Sequence, residues 1–238
     1  ARPFLADPDF VNKAASNKSN EINTCIGCNQ ACLDHVFAQK RASCLVNPQA
    51  CYETELVFQV TQKPKRIAVV GAGPAGLAFS VYADRCGHQV TLFDKAAEIG
   101  GQFNYAKQVP GKEEFYETLR YFNTQLAKSK IQVQLNSEQT VEQLINQGFD
   151  EIVLATGIVP RQLNIEGINH PKVKSYLQVL RDKEPVGNKV AIVGAGGIGF
   201  DVASFLAEEH SLTLDSEAWL TEWGIQFLLL LEMHSFLK

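Results

Sequence analysis

The sequence predicts an α/β fold of parallel sheets with helices on their faces, preceded by a cysteine-rich segment. Three observations predict it. From residue 66 onward, β-branched apolar runs alternate with helical stretches. Two glycine-rich turns each lie between such a run and a helix. Four of the six cysteines crowd into CIGCNQACLDHVFAQKRASC, from Cys25 to Cys44.

Taken in order, residues 1–24 are polar and rich in Asn, Lys and Ser, and read as an extended or loosely helical lead-in. The cysteine segment spans roughly 25–51, and TQKPKR at 61–66 is a short linker. RIAVV is a strand, and GAGPAG turns the chain into the helix LAFSVYADRC. Gly87 stops that helix with a residue suited to the left-handed cap. HQVTLFD is a second strand, EEFYETLRYFNTQLAKSK a long amphipathic helix, IQVQL another strand and EIVLATG a further buried one. After the linker IVPRQLNIEG, the stretch KVAIVGAGGIGFDVASFLAEE repeats the strand–glycine–helix unit. There is no solenoid repeat and no low-complexity tract.

Composition narrows the function classes. With 238 residues, 45% hydrophobic, 20% charged and a net charge of −4, the chain can build its core without covalent staples. A mildly acidic chain without a basic block argues against nucleic acid or an anionic membrane as partner. ARPFLADPDF is neither a signal nor a transit peptide, and the apolar run FLLLL at 227–231 is too short to span a bilayer. The expected compartment is therefore the cytoplasm, where clustered thiols read as metal ligands before disulfides.

Gly71, Gly73 and Gly76 form G-x-G-x-x-G, with Pro74 and Ala75 between the second and third glycines. A lone match is weak, but a strand precedes this one, a helix follows, and Asp94 ends the next strand. In such a unit one glycine permits the tight turn, another lets the backbone reach a pyrophosphate, and the third lets helix pack on strand. The helix N-terminus offers N–H groups to the phosphates, and the acid binds a ribose hydroxyl. The plainer reading of Asp94 with Lys95 is a solvated charge pair at a strand end; the position favours the ribose role. Gly194, Gly196 and Gly199 repeat the fingerprint, with the strand end Ala155, Thr156, Gly157 between the two copies. Two complete fingerprints suggest two dinucleotides side by side, one flavin and one nicotinamide, so that hydride passes between them. A duplicated unit with an empty second copy is the alternative. No acidic or arginine ribose reader follows the second copy, so NAD and NADP are not distinguished.

The cysteines are spaced C-x2-C-x3-C-x11-C. Zinc sites usually pair two C-x2-C knuckles, or one with histidines, and only one is present. Three thiols from a tight loop and a more distant fourth suit an iron–sulfur cluster, with Cys25, Cys28 and Cys32 on one face and Cys44 closing the loop. Gly27 permits the tight backbone. His35 is a possible zinc ligand but reads better as a polar neighbour. Cys51 reads as a packed thiol and Cys86 as core. The redox cysteine pairs of disulfide reductases are absent at their usual places, which makes the cluster itself the electron acceptor.

The segments CIGCNQACLDHVFAQKRASCLVNP, KRIAVVGAGPAG…IGGQFNYAKQVPGKEEF, EIVLATGIVPR and VAIVGAGGIGFD resemble the iron–sulfur flavoenzymes that include bacterial NADPH-dependent 2,4-dienoyl-CoA reductase and trimethylamine dehydrogenase. The resemblance runs from residue 1 to about Ile225. It implies that NADPH reduces FAD, that a [4Fe–4S] cluster relays single electrons to FMN, and that the FMN in an N-terminal TIM barrel reduces a small-molecule substrate, the dienoyl-CoA. It implies Cys25, Cys28, Cys32 and Cys44 as cluster ligands. Gly71, Gly73, Pro74, Ala75, Gly76, Asp94, Lys95, Gly101 and Gln102 would line the FAD site, with Ala155, Thr156 and Gly157 nearby. Gly194, Gly196 and Gly199 would meet the phosphates of the nicotinamide cofactor. No side chain here is expected to act as a general acid or base.

On this reading residues 1–24 are the end of the barrel, 25–63 the cluster segment and linker, 64–160 an FAD-binding Rossmann-like domain of the disulfide-reductase-like type, and 161–238 a partial NAD(P)-binding domain. The barrel with its FMN is missing, and WGIQFLLLLEMHSFLK departs from the family continuation, as in a fragment or truncated product. Rival readings are an amine dehydrogenase or NADH:flavin oxidoreductase of the same family, with FAD or only ADP in the first site, a zinc-stapled nucleotide-binding module without activity, and a truncation without function of its own.

Overall fold

The computed structural model describes residues 1–161 and 163–225. The divergent stretch beyond Ile225, with its FLLLL run, lies outside the described residues, as does Gln162 of the linker. The chain forms two compact units: Ala1–Asn104 with Glu114–Ile165, and Tyr105–Glu113 with Glu166–Lys238.

The first unit opens with two short helices, α1 (Arg2–Ala6) and α2 (Phe10–Ala15), where the sequence suggested at most a loosely helical lead-in. The cysteine loop follows and carries α3 (Leu33–Phe37). Then strands and helices alternate: β1 (Arg66–Val70), α4 (Pro74–Arg85), β2 (Gln89–Phe93), α5 (Phe103–Ala106), α6 (Glu114–Lys128), β3 (Gln132–Gln134), α7 (Val141–Asn146) and β4 (Glu151–Leu154). The four strands form one sheet in the order β3-β2-β1-β4, every pair parallel. Val69 stands opposite Leu92 on one side and Val153 on the other.

Burial explains why these segments read as they do. β1 and β2 sit inside the sheet, so both are continuous apolar runs and not alternating ones. Their side chains still divide by parity. Val69 and Leu92 face a core with Leu77, Val81 and Phe122, whereas Ala68 and Phe93 face Leu144 and Phe149. Phe93 meets Phe149 edge-on at 6.0 Å. α4 starts at Pro74, where a missing N–H costs nothing, and stops at Gly87, whose φ of +87° is the left-handed cap. α6 buries Thr118, Leu119, Tyr121 and Phe122, with Glu114 and Glu117 in its first turn and Lys128 in its last, each favourable to the helix dipole.

Within the first unit, one strand departs from expectation. EIVL was read as buried, yet β4 is largely exposed, with Leu154 at 72%. β4 is the sheet's edge, paired only to β1; Val153 packs against the core, while Glu151, Ile152 and Leu154 are exposed.

In the second unit, α8 (Tyr176–Leu180) and α9 (Gly197–Ala207) pack around a small core, while α10 (Ser216–Glu222) buries none of its own residues. Val179, Leu180 and Val202 are buried there with Val109 from the segment Tyr105–Glu113. The expected strand before the second fingerprint does not pair. Residues 189–195 carry no strand hydrogen bonding, and Val193 is 81% exposed. A strand needs a neighbour to bond, and no strand lies in this unit among the described residues. No described helix is long and apolar enough to cross a membrane.

Candidate nucleotide and cysteine sites

The first glycine turn lies at the C-terminal edge of the sheet, where ligands of parallel α/β sheets bind. Gly71 has φ +112°, and a Cβ there would lie 2.2 Å from the Ala155 carbonyl oxygen. A Cβ on Gly76 would lie 1.8 Å from the Gly71 carbonyl oxygen, so only glycine lets the helix approach its own strand. Gly73 differs. It caps α4 at φ −75° and ψ 178°, and a Cβ there meets no atom within 4 Å. That open space is the room a pyrophosphate needs beside free helix N–H groups, so the cradle fits a dinucleotide.

The other first-site residues gather around this turn. The Ala155 amide donates to the Val70 carbonyl at 2.8 Å, which places Ala155–Gly157 beside Gly71. The Gly100 amide donates to the Ala72 carbonyl at 2.8 Å, and a Cβ on Gly101 would come 3.1 Å from Gly73 Cα. Asp94 accepts from the Ala72 amide through Oδ2 at 2.6 Å and from the Ala96 amide through Oδ1 at 2.8 Å. The acid at the strand end thus braces the glycine turn itself. Lys95 and Gln102 are exposed.

The second fingerprint has the same build despite its unpaired strand. Gly194 has φ +118°, Gly196 caps α9 at φ −89° and ψ 178°, and a Cβ on Gly199 would lie 2.1 Å from the Gly194 carbonyl oxygen. One turn into α9, both carboxylate oxygens of Asp201 accept from Lys112 Nζ, at 2.6 and 2.7 Å.

The cysteine loop turns its four cysteines onto one cavity. Cys25, Cys28, Cys32 and Cys44 line a single cavity with Arg2, Leu5 and Asn29. Gly27 and Asn29 both take positive φ, +65° and +59°, which lets so few residues wind around a cavity. Burial pushes the Cys44 thiol up. Amide hydrogen bonds from Val46 and Asn47 pull it back, and nearby Cys25 and Cys28 push it further. Among the described residues no three His, Cys, Asp or Glu side chains converge as on a single ion. His35 is engaged elsewhere, its Nδ1 lying 3.0 Å from the Arg41 carbonyl. Cys51 and Cys86 are half-buried and outside the cavity lining.

Sequence reasoning passed over the residues that support this cradle. Buried Asp7, 4% exposed, accepts from the Asn23 amide at 2.8 Å and pairs with Lys13 at 2.6 Å. Asn23 Nδ2 donates to the Val46 carbonyl at 2.7 Å, and Asn47 Nδ2 to the Leu5 carbonyl at 2.8 Å. Asn and Asp in polar stretches look like ordinary surface residues; Asn23 and Asn47 stand two and three residues from Cys25 and Cys44, and Asp7 has no such neighbour in sequence.

With this geometry in place, the comparisons assign a class. The family model for pyridine nucleotide-disulphide oxidoreductases matches residues 65–217, and the chain belongs to that family. Among solved structures, a 2-naphthoyl-CoA reductase in complex with 2-naphthoyl-CoA superposes with a TM-score of 0.83 at 29% identity, covering 95% of this chain and 37% of that one. A 6-hydroxypseudooxynicotine amine oxidase from Pseudomonas geniculata gives 0.67 at 29% identity, over 78% of this chain and 30% of that one. Among curated relatives, a metal reductase of Desulforamulus reducens is 39% identical over 91% of this chain and 33% of its own length. An NADH oxidase of Thermoanaerobacter brockii is 33% identical over 87% and 33%. The chain thus spans about a third of the length of the relatives it matches.

Proposed function

We propose that the chain is the electron-input module of an NADPH-dependent 2,4-dienoyl-CoA reductase. Electrons pass from NADPH to FAD in the first glycine turn, to a [4Fe–4S] cluster on Cys25, Cys28, Cys32 and Cys44, and on to FMN in a TIM barrel outside this chain. The observation that carries the reading is the doubled glycine turn preceded by a four-thiol cavity. Two dinucleotide cradles of one build supply a donor and an acceptor of hydride, and the thiols supply the next carrier. When bound, the flavin takes up hydride and releases electrons singly, and the protein supplies position and electrostatics. Here Gly73 leaves space for the pyrophosphate and Asp94 holds the turn. The CoA-thioester substrate rests on the CIGCNQAC and GGQFN resemblance, and the 2-naphthoyl-CoA reductase likeness agrees with that class.

Iron, acid-labile sulfide and acid-released flavin are counted on one anaerobic sample of the full-length protein, followed by NADPH-driven reduction of a 2,4-dienoyl-CoA. Zinc without sulfide would overturn the cluster. A loaded enzyme inert towards the dienoyl-CoA would overturn the substrate alone.

A further inference from the structure

We propose that Arg120 is a positioning residue that fixes the cysteine cradle to the flavin-binding face of the first unit; the proposal rests on the reading above. Its neighbour in α6, Leu119, packs where a Cβ on Gly100 would stand, with Cδ2 2.6 Å from that position. Gly100 in turn is bonded to Ala72 in the first glycine turn. Arg120 faces the lead-in to Cys25. Nη2 donates to the Ile22 carbonyl at 2.8 Å and to Thr24 Oγ1 at 3.3 Å. Nη1 reaches the carbonyls of Asn20 and, at 3.4 Å, Ser19. Nε donates to Glu117 at 2.7 Å, which holds the guanidinium plane against α6. Thr24 immediately precedes Cys25.

A planar five-donor fork can satisfy this many acceptors at once, and a lysine ammonium cannot. Two turns further along α6, Lys128 pairs with Glu21 and holds its carboxyl below the usual carboxylate range. An isolated exposed ion pair contributes little. The Arg120 fork is different, because its acceptors are oxygens of the chain segment itself. α6 therefore acts as a bracket, with one residue supporting the nucleotide turn and the next holding the entry to the thiol loop. Transfer between two held groups depends steeply on their separation, so a bracket of this kind governs the rate without touching either group.

The test compares wild type, Arg120→Lys and Arg120→Met in the flavin- and iron-loaded protein. Two rates are read in one anaerobic mixing experiment: bleaching of the flavin by pyridine nucleotide, and the later fall of the cluster's visible absorbance. In Arg120→Met the first is expected at the wild-type rate and the second slower by at least about tenfold; Arg120→Lys falls between. A general loss of stability would slow both or neither. Cluster reduction at the wild-type rate in both variants overturns the proposal. If Arg120→Met does not retain the cluster, exchange of the Ile22 and Asn23 amides in the metal-free protein decides. Faster exchange than wild type supports the bracket, and equal exchange overturns it. Failure of the underlying reading looks different, as wild type would then contain neither iron nor sulfide.

Discussion

Gly73 and Gly76 are three residues apart, and the structure gives them opposite burdens. Gly76→Ala drives a methyl into the Gly71 carbonyl, so the folded domain should lose about 1–3 kcal/mol or more. Gly73→Ala places its methyl in open space at an ordinary extended φ, so denaturant unfolding should shift by less than about 1 kcal/mol. Flavin retention, read by acid release after gel filtration, should nevertheless fail, because the pyrophosphate needs that space. Equal flavin content in Gly73→Ala and wild type would remove the first turn as a phosphate site. Asp94→Asn leaves one oxygen for two amides and should cost about 1–3 kcal/mol at the turn. Cys44 makes a second residue-level case. Because burial raises its pKa, it carries less thiolate than an ordinary cysteine as pH rises through the thiol range. Timed alkylation of the metal-free protein at mildly alkaline pH should label Cys44 more slowly than free cysteine. The glycines, Asp94 and the cysteines were legible because each answers a backbone or ligand demand tied to spacing. Asp7, Asn23 and Asn47 were not, since their work is tertiary and their neighbours are distant in sequence.

At the scale of elements, local signals succeeded where the element supports itself and failed where it needs a neighbour. α4 and α6 follow their sequence pattern, whereas the helices opened by Thr140 and Ser175 were not read from the sequence, although each carries an S/T-x-x-Q capping box. Thr140→Ala should cost about 1 kcal/mol, measured by thermal unfolding. Strands are different, because β1 and residues 189–194 have similar composition but unlike fates. β1 bonds on both edges, while the second run has no partner among the described residues. Amide exchange should therefore be slow at Ala68 and Val69 and fast at Ile192 and Val193. Comparable protection in this chain would mean that the second strand finds a partner unaided. β4 is likewise exposed where its apolar run suggested burial, because a single-strand pattern does not reveal what covers its faces.

For the molecule as a whole, the two units differ greatly in the cores they contain. The first has two clusters flanking a sheet, and the second has four buried apolar residues at its centre. A single cooperative transition is not expected of such a chain. Both tryptophans, Trp219 and Trp223, belong to the second unit, and their rings lie 5.7 Å apart. Their fluorescence should therefore change at a lower urea concentration than far-UV circular dichroism, which is dominated by the first unit. Coincident midpoints would show that the units unfold together. The segment Tyr105–Glu113 has one more consequence. The chain leaves the first unit after Asn104, contributes Val109 and Lys112 to the second, and re-enters the first at Glu114. A gene cut at residue 166 would strip the downstream piece of a core side chain and of the cation that holds Asp201. Chain order and unit membership do not coincide, so recombination that swaps one nucleotide-binding half between relatives must carry this nine-residue segment across as a separate graft.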